Sequence, residues 1–218
     1  MTRRLLLGAT LLIASADVAR AQIINAPIGR SRPSAWASLH IGWFQQQGIQ
    51  DVASGATWSF AGAPQWRASL ELPVGNGGAS FGVVGTTSRV PLLYGGGILT
   101  PNSCSGCDAD ANVTQILGLV HLGGFSGFHQ VIDLAAGTTL YSNFRATGSG
   151  ATLGPGGTVS NFTFMAGYGF GYGFSQNAQI ELVQDYAILI LKRQSGSSTN
   201  TAQQQNLRFG FRYGLGGR

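Results

Sequence analysis

The chain alternates. From about residue 34 to 215, apolar or aromatic side chains exchange places with small polar ones at every second position, and Gly, Ser, Asn and Pro clusters interrupt the pattern. A period of two is that of a β-strand with unlike faces, because successive side chains point to opposite sides of a sheet. Eight such segments are predicted, at 34–46, 65–73, 79–90, 112–123, 129–145, 159–174, 179–193 and 204–215. The sixth is the clearest. Phe162, Phe164, Ala166, Tyr168, Phe170, Tyr172 and Phe174 share one face, and Thr163, Met165, Gly167, Gly169, Gly171 and Gly173 share the other. In the fifth, Ile132, Leu134, Ala136 and Leu140 oppose Val131, Asp133, Ala135, Thr139, Tyr141, Asn143 and Arg145. The fourth is ambiguous, since Ile116, Val120 and Leu122 compete with Leu117 and Leu119.

The connections alternate too. Segments two and three, four and five, and six and seven are joined by the short links 74–78, 124–128 and 175–178. The links 47–64, 91–111, 146–158 and 194–203 are longer. Gly75-Asn76-Gly77-Gly78 suits a tight hairpin turn that needs positive φ.

Composition decides what the alternation means. Charged residues are only 10% of the chain, against about 25% in a soluble domain, and 34 of the 218 residues are glycine. The most apolar runs, Ile116–Leu122 and Tyr186–Leu191, are far shorter than the ~20 residues a membrane helix needs. The other structure that satisfies every backbone group in hydrocarbon is a closed sheet. Short turns at one end, long loops at the other and an even strand number are the marks of an all-β, eight-stranded, antiparallel up-and-down transmembrane β-barrel. A soluble exported barrel of lipocalin size is the alternative, with its aromatic faces inward. It would carry many more charges on its water face.

Residues 1–21 read as a signal peptide. Arg3 and Arg4 precede an apolar run over 5–16, and Ala19-Arg20-Ala21 fits a small-x-small cleavage site. Residues 22–33 form an N-terminal extension and 34–218 the barrel domain. Losing Arg3, Arg4, Arg20 and Asp17 lowers the formal net charge from +5 to +3. No basic cluster beyond Lys192-Arg193 then remains, which argues against nucleic acid as a partner.

The non-aromatic face carries Arg67, Glu71, Asp133, Glu181, Asp185, Arg208 and Arg212. In an eight-stranded barrel this face lines a lumen just wide enough for side chains to fill. Buried charges there must pair, because an unpartnered one is costly. Segment eight closes against segment one and neighbours segment seven, so Arg208 and Arg212 are expected near the seam, with Asp185 or Glu181 in reach.

Cys104 and Cys107 fall in the predicted loop 91–111. In an exported chain they are expected to form a small disulfide. A zinc site needs two further ligands and there is no third cysteine. His40, His129, Ser69 and Asp133 show no spacing that unites them into a catalytic set. No nucleophile elbow, phosphate loop, HExxH or dinucleotide fingerprint appears. No enzyme activity, metal or cofactor is expected.

Across 34–215 the chain resembles the small eight-stranded outer-membrane barrels of Gram-negative-type bacteria, with OmpA-like and OmpX-like barrel domains among them. Leu207, Phe209, Phe211, Tyr213 and Leu215 resemble the alternating C-terminal signal of that family, although here Gly216-Gly217-Arg218 follows instead of a terminal aromatic residue. The resemblance implies residence in the outer membrane, with its lipid and its assembly machinery as partners. It also implies a structural, membrane-stabilising or passive narrow-channel role. Loops rich in Ser, Thr, Asn and Gln leave a surface adhesin or binder of an extracellular ligand as the alternative. Cleavage after Ala21 is expected to leave Gln22 as the N-terminus of protein recovered from the outer-membrane fraction, which N-terminal sequencing of separated membranes checks.

Overall fold

The computed structural model describes residues 32–51, 55–75, 77–96, 105–191 and 201–216. The predicted signal peptide lies outside the described residues. Ten strands follow one another: β1 (Ala35–Gln46), β2 (Ile49–Gln50), β3 (Thr57–Phe60), β4 (Ala63–Val74), β5 (Ala79–Gly95), β6 (Ser105–Leu122), β7 (Gly127–Ala146), β8 (Val159–Ser175), β9 (Ala178–Ile190) and β10 (Thr201–Leu215). Eight of them, β1 and β4 to β10, pair antiparallel with their chain neighbours, and β1 pairs with β10 to close the ring. The closing seam runs from Ala35↔Leu215 to Gln46↔Gln204 without a register shift. The fold is thus a closed eight-stranded antiparallel transmembrane barrel, as the alternation predicts.

The two faces separate as predicted along most of the barrel. Leu39, Ile41, Trp43, Leu70, Val83, Phe164, Leu182, Phe209 and Phe211 point outward and are exposed. The ambiguous fourth segment resolves with Leu117 and Leu119 inward and Ile116, Val120 and Leu122 outward. The outer belt is mostly apolar, with Gln184 of β9 and Gln130 of β7 as polar outward positions within it. Polar outward positions such as Gln45, Arg89, Asp110 and Gln203 gather towards the loop end.

Three features depart from the sequence reading. The third and fourth segments are longer than 79–90 and 112–123, because the ladder continues to Gly95↔Ser105. Cys107 therefore lies on β6, opposite Tyr94, and not in a loop. The predicted loop 47–64 contains a small hairpin, with Ile49 facing Trp58, and β3 prolongs the wall along the upper end of β5, from Thr57↔Gly95 to Phe60↔Leu92. Where this extension joins β4, Pro64 has no N–H to give. Its carbonyl instead accepts a bond from Ser88 Oγ at 2.6 Å.

The third departure concerns Asn143 and Arg145, assigned above to the inner face. Strict alternation fails there because β7 carries an extra residue against β6, where Asp110↔Arg145 is followed by Asn112↔Ser142. Asn143 takes the left-handed conformation at φ 56°, which Asn tolerates better than most residues. This bulge turns Asn143 and Arg145 outward and Phe144 into the barrel.

At the turn end, Gly75 supplies the positive φ of 60° in the link between β4 and β5, and Asn76 lies outside the described residues.

Leu134 sits midway along the outer face of β7, so Leu134→Arg is expected to destabilise the barrel by about 2–4 kcal/mol, and Thr201→Arg at the loop-end rim by about 1 kcal/mol or less. Urea titration of both variants refolded in lipid vesicles checks the difference.

Candidate functional site

The chemistry of this chain is inside the barrel, arranged in layers from the turn end to the loop end. In the lowest layer β10 carries Arg212 inward. Its guanidinium lies 4.2 Å from the centre of the Trp36 ring, and Nη2 is 2.7 Å from Glu71 Oε2. Ser69 Oγ donates to Glu71 Oε1 at 2.6 Å and Ser80 Oγ to Oε2 at 2.5 Å. Glu71 thus accepts three bonds on its two oxygens. Trp36 stacks on Phe125 with ring centres 6.4 Å apart, which fills the turn end.

The middle layer is ionic. Asp133 Oδ2 receives Arg67 Nη2 at 3.1 Å and also the Nη2 of Arg208. Asp185 Oδ2 receives Arg208 Nε at 2.9 Å and lies 3.5 Å from Arg67 Nη1. Two guanidiniums and two carboxylates therefore form a closed square across the lumen, contributed by β4, β7, β9 and β10. His121 Nδ1 is 2.8 Å from Asp133 Oδ1, and its Nε2 is 3.8 Å from Glu181 Oε1. His40 Nε2 meets Glu181 Oε2 at 3.2 Å.

All seven charged residues singled out in the sequence are placed on the inner face, buried, and joined into these two clusters. Each charge has an opposite partner, which is the condition for burying it. Glycines on β8 make the room. A Cβ at Gly167 would collide with the Asp185 carboxylate, and one at Gly171 with the His129 ring.

Above the ions lies a layer of neutral hydrogen bonds. Gln115 Nε2 donates to Thr139 Oγ1 at 2.9 Å and to Gln204 Oε1 at 3.0 Å, and Thr86 Oγ1 donates to Gln115 Oε1 at 3.1 Å. The space between this layer and Arg67, bounded by Gln65, Thr86 and Met165, has no room for a water-sized sphere.

The loop end holds an apolar layer that includes Trp58, Tyr94, Tyr141, Phe44, Phe144 and Leu153. Trp58 lies against Phe144 with ring centres 4.4 Å apart, and Tyr141 donates its hydroxyl to Gln46 Oε1 at 2.8 Å.

The sequence reading missed the histidine bridges and the aromatic layer. His121 stands on the segment whose facing was ambiguous. Trp58 stands on a loop hairpin with no periodicity, and Phe144 enters through a bulge. The residues weighed for catalysis go to different partners: His40 to Glu181, Ser69 to Glu71, and His129 Nδ1 to the Gly127 carbonyl at 2.9 Å. Cys107 takes part in a disulfide, is half-buried and packs against the apolar layer; Cys104 lies outside the described residues. No group of three or more metal-ligating side chains suited to a metal ion occurs among the described residues.

No protein-family model matches the chain, and no curated protein matches it in sequence. Solved structures do match. The crystal structure of neisserial surface protein A (NspA) superposes with a TM-score of 0.54 at 13% identity, over 84% of this chain and 97% of that one. OprG from Pseudomonas aeruginosa matches with a TM-score of 0.44 at 12% identity, over 85% and 97%. Ail of Yersinia pestis, in complex with the heparin analogue sucrose octasulfate, gives 0.42 at 15% identity, over 83% and 99%. The likeness to NspA is one of fold, that of a small outer-membrane barrel.

Removing Arg208 leaves Asp133 and Asp185 with one guanidinium between them. Arg208→Ala is therefore expected to destabilise the barrel by about 3–5 kcal/mol. The midpoint of urea unfolding in vesicles, read by tryptophan fluorescence, measures it.

Proposed function

We propose that this chain is a closed, non-conducting barrel of the outer membrane, which anchors and holds rigid a platform of extracellular loops. The observation that carries the reading is the filling of the lumen. Trp36 and Phe125 occupy the turn end, the Arg67–Asp133–Arg208–Asp185 square spans the middle, and Trp58, Tyr141 and Phe144 occupy the loop end. A solute would have to break an ionic layer and an aromatic layer to pass. The short links between β4 and β5, β6 and β7, and β8 and β9 mark the periplasmic end, as in barrels of this type.

The membrane supplies one partner, lipid, to the apolar belt. The assembly machinery would be a second, reading the outward row Leu207, Phe209, Phe211, Tyr213 and Leu215 on the closing strand. The structural role is favoured over the channel role because the wall rises past the belt on β5, β6 and β7 and is braced there from inside. That construction stiffens the loop end without opening it.

In planar lipid bilayers the purified protein is expected to give no stepwise conductance above that of detergent alone. Regular single-channel steps that persist in the wild-type protein would overturn the closed-lumen reading.

A further inference from the structure

Among the described residues, the belt has a polar spot at mid-height, apart from Gln130 nearer the turn end of β7. Gln184 lies on the outer face of β9, with Ile180 and Leu182 on one side of it along the strand and Tyr186, Ile188 and Ile190 on the other. Its neighbour across the ladder is Tyr168 of β8. Tyr168 is itself the middle outward residue of its strand, with Phe170, Tyr172 and Phe174 towards the turn end and Ala166, Phe164 and Phe162 towards the loop end. Among the described residues, the outward positions of the other six barrel strands at this depth are Leu39, Ile41, Ala68, Val83, Gly118, Leu134 and Phe209. A side-chain amide and a phenol therefore sit side by side where lipid offers only hydrocarbon.

The amide is poorly provided for. Gln184 Nε2 donates to the carbonyl of Asp185 at 3.3 Å, a long bond that uses one of its two N–H groups. The other N–H and the lone pairs of Oε1 have no acceptor or donor available from acyl chains. A polar group without a partner in hydrocarbon is costly, and intramembrane polar side chains accordingly seek one another. The partner must present donors and acceptors at the same depth. Lipid headgroups lie far above and below.

A second copy of the same chain meets this condition automatically. Copies related by a two-fold axis along the membrane normal carry every residue at matched depth, and an isologous contact places a residue near its own equivalent. A carboxamide is self-complementary, since it donates through nitrogen and accepts through oxygen. Ala166, next to Tyr168 on β8, is small and lets the partner wall approach. We infer that the β8–β9 face is a homodimer interface in the membrane, centred on reciprocal amide bonds between two Gln184 side chains, with Tyr168 and Tyr186 packed around them.

The test uses the full mature chain in lipid vesicles at a low protein-to-lipid ratio, with a short thiol-to-thiol cross-linker and cysteines introduced one at a time. Leu182→Cys, beside the amide, should give a covalent dimer. Leu134→Cys, at the same depth on β7, should give only the background of random collision. Adding Gln184→Leu to Leu182→Cys should weaken dimerisation roughly ten-fold, read from the dependence of yield on protein-to-lipid ratio. Leucine suits a lipid-facing position, so the fold should survive the change, and heat-modifiable gel mobility confirms that it has. Equal yields at 182 and 134, a yield unmoved by Gln184→Leu, or a monomer at every ratio would each overturn the inference. None of these outcomes depends on whether the lumen conducts.

Discussion

Across the apolar belt, the backbone N–H and C=O groups of this wall lie where water cannot reach them, and each must find its partner in the neighbouring strand. An open sheet would leave two rows of such groups in hydrocarbon. The unshifted seam of β1 against β10, from Ala35↔Leu215 to Gln46↔Gln204, removes both rows at once. The other properties follow from this closure. Alternation becomes a division between lipid and lumen, not between core and water. A one-residue slip would exchange the two faces of a strand. Among the described residues the register shifts stand towards strand ends, at Tyr94/Gly95, in the β7 bulge and at Gly173/Ser175.

Closure with eight strands also sets the interior. Such a ring leaves space for side chains and little else, so what enters must pack and pair. Four carboxylates, of Glu71, Asp133, Glu181 and Asp185, share the lumen with three guanidiniums, and His121 and His40 add contacts to Asp133 Oδ1 and Glu181 Oε2. A buried ionic layer of this kind is weak evidence for stability, because desolvation offsets much of the attraction. Its stronger effect is geometric. The ion pairs tie strands distant in sequence, Arg67 of β4 to Asp133 of β7 and Arg208 of β10 to Asp133, and Arg208 also pairs with Asp185 of the neighbouring β9. The glycines of β8 belong to the same arrangement, since Gly167 lies between two carboxylates that a methyl group would displace.

Legibility in the sequence tracked periodicity. Where alternation was strict, as in 159–174 and 204–215, the strand, its faces and its neighbours could all be read from the chain. The charged inner residues were visible for the same reason, because a charge opposite an aromatic stripe has only one side to go to. Leu117 and Leu119 defeated the reading of the fourth segment because a lumen with an apolar layer accepts leucine on the inside as lipid does on the outside. Asn143 and Arg145 were misplaced because a bulge shifts parity by one residue and leaves no hydrophobic signature. Trp58 could not be placed at all. Its two-strand hairpin is held to the wall by pairing with β5, a contact between distant residues that local pattern does not encode.

The polar inventory of the barrel is thus split by the wall into two unequal accounts. Inside, closure brings donors and acceptors from all eight strands within reach, and each charged group meets an opposite one across the lumen or on the next strand. Outside, convex curvature carries neighbouring side chains apart, and a group can be answered only by its own backbone, the next strand or another molecule. Asp185 and Gln184 are consecutive residues on opposite sides of this division. Asp185 meets two guanidiniums from β4 and β10. Gln184 finds a single backbone carbonyl at 3.3 Å. The same strand, at the same depth, therefore finds opposite charges for its inward polar residue within the chain and points its outward one to a partner, so an interface centred there would supply from outside the pairing that closure supplies within.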